Sequence, residues 1–237
     1  MKLTAAVTLI LSAAHTFAAD TALSNAEEAR IGQILAGKFA NLRGLAPSPR
    51  AASIEKYLQT VGDRVAANAP RQLSYHFHFD PDPGFKSAVA LPGGEIFVGG
   101  GIVAVLDSED QLATVLGHEI GHVALRHCQD RLLRLLGESN LSFAEADQLG
   151  VEKFFDGYGH DGELAADREG LKLAAAAGYA PQSAVRLLET FLTLAELSPG
   201  VPNDSKRALQ ERIAEMRSAI DRDKLAIKSS EKPLALP

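Results

Sequence analysis

The 237-residue chain is short of the residues that staple or stack. It holds one cysteine, Cys128, and no tryptophan, and aromatic residues make up 6% of it. One cysteine cannot close an internal disulfide, which excludes a cystine-stapled scaffold. A buried, inert thiol is the expectation for Cys128. So few aromatics exclude a base-stacking platform for single-stranded nucleic acid. Positive charge is also in deficit: 24 Lys and Arg face 30 Asp and Glu, a net charge of −6. Sequence-independent nucleic-acid binding needs the opposite balance and is excluded as well. No run beyond Leu11 is apolar enough to span a bilayer, although peripheral association with a membrane surface stays open. What remains is 46% apolar and 23% charged, an ordinary globular composition with enough length for a sizeable core.

The N-terminus reads as an address. Lys2 supplies a positive charge, Leu3 to Leu11 form a short apolar run, and Thr16-Phe17-Ala18 supplies small residues at the end. That order is the layout of a secretory signal peptide. The expected cleavage lies after Ala18, with Ala19 as the alternative. The division is then a signal peptide at 1–18, one folded domain at 19–220 and a polar, mobile tail at 221–237. The mature protein is expected to be soluble and periplasmic.

The rest is mainly helical. Ser24-Asn25-Ala26-Glu27 is a capping box that opens a helix to about Arg43. A second helix carries Ile54, Leu58, Val61 and Val65 on one face. Leu73 to Phe79 alternates as a strand, and Ala88–Leu91 and Glu95–Val98 read as strands around a Pro92-Gly93-Gly94 turn. Ser108 to Gln111 caps a long helix to about Leu136, and Ser142 to Glu145 caps another to about Phe155. Helices follow at 163–177, from Pro181 to about Leu197, and from about Asp204 to Ile220. The fold class is α+β, mainly α, with a small antiparallel sheet.

The strongest chemical signal is His118-Glu119-Ile120-Gly121-His122. On a helix, His118 and His122 share a face and can hold one Zn²⁺ between them. Glu119 is rotated about 100° from His118 and can reach water beside the metal without being a ligand. This is the metalloprotease arrangement of two His ligands and a glutamate general base. Ala113, Leu116, Ile120 and Val123 surround the motif, so the helix is buried, and burying these polar groups is costly without a partner. Zinc needs a third protein ligand. Glu163 is the candidate, with Asp167 one turn later on the same face to accept a hydrogen bond from a ligand His.

These stretches resemble the HtpX-like and CAAX-prenyl-protease-like zinc metallopeptidases, a gluzincin family, in their soluble periplasmic and mitochondrial quality-control form. Ala90 to Val98 looks like the strand-turn-strand that precedes the active helix. Ser108 to His127 is close to that helix along its whole length, Glu163 to Gly170 matches the third-ligand motif, and Gly178-Tyr179-Ala180-Pro181 looks like the family's Gly-Tyr-Asp-Pro turn. The resemblance implies a zinc endopeptidase with one Zn²⁺ per chain on His118, His122 and Glu163, and Glu119 as base. It also implies polypeptide substrates among misfolded envelope proteins. Three positions depart from the pattern. Ser87 stands where Asn is usual, and His160 where Arg is common. Ser198-Pro199-Gly200-Val201-Pro202 lacks the usual His-Pro pair, with Arg207 or Arg212 to supply the Arg that follows it.

Ile96, Phe97 and Val98 are expected to form a substrate-binding edge by strand addition. His160 is a candidate donor to a developing oxyanion. His76 and His78 share a strand face and read as half-exposed rather than as a second metal site. His127 lies about 140° around the helix from His122 and reads as a hydrogen-bonding residue, not a ligand. Two competing classes are a chaperone-like protein closed to hydrolysis and a structural zinc protein. An intact Glu119 argues against both, since neither needs a base beside an open metal position.

Overall fold

The structure is a computed structural model, and it describes residues 23–226 and 231–237. The expected signal peptide lies outside them. Helix α1 (Asn25–Leu42) begins at the foreseen capping box: Ser24 Oγ accepts from Glu27 N, and Glu27 Oε2 accepts from Ser24 N. Its inner face buries Ile31, Leu35 and Phe39 completely. Helix α2 (Pro49–Ala66) starts with Pro at its first turn, where no N–H is needed, and buries Ile54, Leu58, Val61 and Val65.

Three strands follow: β1 (His76–Asp80), β2 (Ala88–Ala90) and β3 (Glu95–Gly99). Their order is β1-β3-β2, with β3 parallel to β1 and antiparallel to β2. The sheet is therefore mixed rather than antiparallel. The strands run up, down and up, so inserting the third between the first two makes β1 and β3 parallel neighbours. Gly93 permits the turn between β2 and β3, because its φ of 76° is one that side chains disfavour.

The central place of β3 corrects an expectation. Ile96, Phe97 and Val98 are buried and paired on both sides. Their strand has no free ladder edge to offer a substrate. The exposed edge on this side of the sheet belongs to β2.

After the short α3 (Gly100–Val103), Ser108 caps α4 (Glu109–Ala124), its Oγ accepting from Gln111 N. The expected long helix is broken. Arg126 takes a left-handed conformation (φ 65°), and α5 (His127–Glu138) starts in a new direction. Arg71 reaches the end of α4 and donates to Val123 O at 2.8 Å, satisfying a terminal carbonyl. Arg71 also pairs with the buried Glu28 at 2.6 Å, which ties α1 to the same corner.

Ser142 opens a 3-10 segment (Phe143–Gln148), and Gly150 separates it from a second (Val151–Phe154), in place of one helix. Helices α6 (Gly159–Ala176), α7 (Gln182–Leu197) and α8 (Asn203–Arg222) complete the fold. The described part of the tail is docked, not loose. Lys232 N donates to Asp110 Oδ2, Glu109 N donates to Lys232 O, and Leu234 and Leu236 pack on the main core. No helix among the described residues is long and apolar enough to cross a membrane.

The contact that builds the site is α4 against α6. A Cβ on Gly117 would lie 2.8 Å from Gly170 O, and one on Gly121 would lie 2.9 Å from Ala166 O. The two backbones touch through small residues spaced i, i+4 on each helix. His118 and His122 flank one stripe, and Glu163 and Asp167 flank the other.

Candidate metal centre and active site

Close approach of α4 and α6 brings His118, His122 and Glu163 together. Their ligand atoms are the one such group that converges among the described residues. His118 Nε2 and His122 Nε2 are 3.1 Å apart, and Glu163 carboxylate oxygens lie 3.3 Å and 3.8 Å from them. Tetrahedral zinc with bonds of about 2.05 Å holds its ligand atoms about 3.3 Å apart, so this donor set fits such an ion.

Each candidate ligand is held from behind. His118 Nδ1 meets Asp167 Oδ1 at 2.9 Å, as foreseen. Asp167 is also gripped by Arg212 of α8 through both carboxylate oxygens. Arg212, not Arg207, is the arginine of the last helix that reaches the site; Arg207 pairs locally with Asp204. Tyr158 was missing from the sequence reading. Its N–H donates to Glu163 Oε1 at 3.0 Å, and its ring lies 4.3 Å from that of His122. An aromatic residue between Gly157 and Gly159, just before a candidate ligand, was the available signal. Arg131 covers the other side of that ring at 4.0 Å. His122 Nδ1 meets His127 Nδ1 at 2.9 Å, a contact the break at Arg126 makes reachable.

Burial shapes the proton inventory of these side chains. It pulls His118 down, but hydrogen bonds to Asp167 and Glu163 outweigh it and raise this pKa to about 9. Burial, helped by the nearby His118, pushes His122 down to about 2. Glu163 resists its burial through His118, His122 and the Tyr158 N–H, and falls to about 2. Asp167 is likewise held below the usual carboxylate range by Arg212 and His118 despite its burial. Glu119 behaves in the opposite way: burial, reinforced by Glu163, lifts it to about 7 against the pull of His118 and the Ala90 N–H. Its carboxylate is thus poised near neutrality beside the candidate ligand set, not within it.

The centre opens into a cleft of about 590 Å³. One wall is Lys86 to Ala90, along β2. The other is apolar and includes Leu187, Phe191, Leu209 and Met216 from α7 and α8. His160 lines the rim, its Nε2 3.3 Å from Glu211 Oε2. Cys128 is fully buried behind the site, accepting from Tyr158 Oη and donating to Ala90 O, and burial pushes its thiol up to about 12. That is the inert thiol expected. A larger groove of about 1010 Å³ lies between α1, α2 and β1. There His76 and His78 bracket the buried Glu95 at 3.0 Å and 2.6 Å, with ring nitrogens on separate oxygens. They satisfy that carboxylate and do not converge on a common point, as the half-exposed reading anticipated.

The fold and the centre define a metallopeptidase of the H-E-x-x-H type. Residues 52–218 match the family described as Peptidase family M48, and the chain belongs to that family. It is similar to the beta-barrel assembly-enhancing protease of Escherichia coli (strain K12), 27% identical over 205 residues, covering 78% of this chain and 41% of the relative. The protein of that name from Yersinia pestis is 29% identical over 173 residues, 62% of this chain and 35% of the relative. The mitochondrial metalloendopeptidase OMA1 of Schizosaccharomyces pombe is 31% identical over 144 residues, 56% and 42% of the two chains. The chain thus spans less than half the length of these relatives.

Proposed function

We propose that this chain is a zinc endopeptidase that cleaves misfolded or misassembled exported proteins in the periplasm. The observation that carries the reading is Glu119: a buried carboxylate with a pKa near 7, set beside three converging ligand atoms and tied to β2 through the Ala90 N–H. His118, His122 and Glu163 hold the ion. Zinc there supplies Lewis acidity toward the scissile carbonyl and a lowered pKa for water in its open position. Glu119 takes the proton of the attacking water and passes it to the leaving amine nitrogen, a role its near-neutral pKa suits.

The substrate lies along β2. Hydrogen bonds from Leu91 N to Glu95 O and from Gly99 N to Ser87 O fix which residues of that strand face β3. By antiparallel alternation, Ala88 and Ala90 turn their backbone groups outward. Ala90 is taken by Glu119 and Cys128, which leaves Ala88 to pair with an extended peptide. Such pairing reads backbone, and the apolar wall of the cleft accepts a buried side chain beside the scissile bond. Both features suit unfolded clients. His160, held by Glu211, belongs to the rim of the cleft in this reading rather than to the reacting centre. Export rests on the Lys2 to Ala18 pattern, and the names of the relatives, one for β-barrel assembly and one mitochondrial, are compatible with a quality-control role.

The test combines metal analysis with cleavage of unfolded exported proteins and an unbiased peptide mixture. Wild type should carry one zinc and cleave. Glu163→Ala should lose zinc and activity, with Asp167→Asn milder. Protection of clients without any cleavage, by wild type and Glu119→Gln alike, would favour the chaperone class.

A further inference from the structure

We infer that His127 is the positioning residue for His122, fixing its tautomer and ring orientation as a neutral acceptor where His118 uses a carboxylate. The inference rests on the zinc reading above. His118 presents Nδ1 to Asp167, which in its ionised form only accepts, so a proton stays on Nδ1 and Nε2 is the atom left for a metal in the loaded site. His122 has no carboxylate behind it. Its Nε2 faces His118 Nε2 and Glu163, so this atom must be bare in the loaded site. The proton is then on Nδ1, and the hydrogen-bond partner of that N–H is His127 Nδ1, at 2.9 Å.

Two imidazole nitrogens at that distance share one proton. With His122 donating, His127 Nδ1 must be bare and its own proton must sit on Nε2. Tyr158 cannot replace it, because that ring lies against the face of His122 at 31°, away from the in-plane direction of the N–H. The local sequence explains how His127 gets there. In an unbroken helix it would point about 140° away from His122. The left-handed Arg126 ends α4 and places His127 as the first residue of α5. A position in the first turn of α5 also favours a neutral ring over a cation.

The choice of acceptor has a chemical consequence. The carboxylates of Glu119, Glu163 and Asp167 are matched by the guanidinium of Arg212 and the two charges of a bound zinc. A fourth carboxylate behind His122 would make that ligand more basic and add unbalanced charge. An imidazole orients the ring without either effect.

Two measurements test this. In the zinc-loaded wild type, nitrogen NMR of the histidines should find His122 protonated on Nδ1 and His127 protonated on Nε2 only. Zinc affinity, by competition with a chromophoric chelator, should fall roughly 10–100-fold in His127→Phe, which keeps a ring but no acceptor. His127→Asn keeps an acceptor oxygen at the δ position and should stay within about threefold of wild type. A proton on His127 Nδ1, a His127→Phe protein with wild-type affinity, or a His127→Asn protein as weak as the Phe variant would each overturn the inference. The NMR measurement needs no variant, so it decides even if a substitution prevents folding. A wild type that holds no zinc would overturn the ligand reading as well; a zinc-loaded, active wild type with indifferent variants would overturn this inference alone.

Discussion

Arg212 on α8 grips Asp167 on α6 with two hydrogen bonds, Nε to Oδ2 at 2.6 Å and Nη2 to Oδ1 at 2.7 Å. Oδ1 also receives the Nδ1 of His118, so one carboxylate joins a candidate metal ligand to the last helix. Packing of α8 and orientation of His118 are therefore coupled.

Breaking that grip should cost stability. Arg212→Met keeps much of the side-chain volume but leaves the buried, charged Asp167 with His118 as its remaining partner. Losing two hydrogen bonds to a charged group destabilises by about 3 kcal/mol or more. The pH dependence should change too. Asp167 is held below its ordinary pKa, so its contribution is present above about pH 4 and is lost as pH falls through the lower folded-state value. Without Arg212 that loss should begin at higher pH. Urea unfolding at pH 7 and at acid pH measures both effects, and an unchanged midpoint would deny the grip any stabilising role.

Glu119 makes a prediction about rate. A base must be deprotonated to act; burial raises Glu119 to about 7 in the metal-free protein and a bound zinc would lower it, so kcat/KM should rise with pH on the acid side, with a midpoint below 7. Glu119→Gln should remain folded, keep its metal and lose at least roughly 10²-fold in turnover. A variant that retains wild-type turnover would remove Glu119 from the chemistry.

Metal uptake should release protons. In the metal-free protein His118 has a pKa of about 9 and is a cation at pH 7, yet a ligand needs a bare Nε2. Each zinc bound at pH 7 should therefore displace about one proton from His118. Affinity should rise with pH up to about 9. The metal-free fold responds in the opposite sense. The raised pKa of His118 stabilises it fully below the unfolded value of about 6.5, and that contribution is lost as pH rises through about 9. Calorimetry of zinc binding in two buffers of different ionisation enthalpy counts the protons, and a count of zero would contradict the hydrogen bonds drawn around His118.

The chemistry was more legible in the sequence than the geometry that frames it. His118, Glu119 and His122 announce themselves by local spacing, and Ser24 with Glu27 marks a helix start that the structure reproduces. These are short-range signals. The break at Arg126 carries no Gly or Pro, and apolar periodicity runs through it, so a single long helix was the natural reading. Hence His127 could be given a hydrogen bond but not its partner. The order of the strands involves long-range partners, β1 packing on α2 and its His76 and His78 meeting Glu95 of β3, which no local pattern in the sequence reveals. Arg212 and Tyr158 act across 45 residues and 5 residues respectively, and nothing in their own neighbourhoods marks their targets.

The contact between α4 and α6 should prove intolerant of added atoms. Gly121→Ala puts a Cβ 2.9 Å from Ala166 O, a backbone atom with no freedom to swing aside. The helices must separate, and Glu163 moves away from His118 and His122. Overpacking of this kind costs about 1–3 kcal/mol. Zinc affinity should fall with stability, and chelator competition with thermal unfolding reports both. Gly137→Ala, whose Cβ meets nothing within 4 Å, is the control that should change neither.

The last prediction concerns the substrate edge and turns on strand order. Proline removes a backbone donor, and a sheet tolerates that loss only where the donor is not used for pairing. Ala88 N points away from β3 by antiparallel alternation, so Ala88→Pro should leave the sheet paired and the metal bound. What it removes is the donor offered to an extended peptide in the cleft. KM for peptide should rise, with zinc content and melting temperature near wild type. Phe97→Pro is the contrast: it strikes a buried residue in the central strand, breaks pairing to a neighbour and should reduce soluble, folded protein outright. The two variants separate an edge from a core strand, because only the first can change peptide binding without changing the fold. If Ala88→Pro folds, keeps zinc and binds peptide as wild type does, substrate does not add to β2.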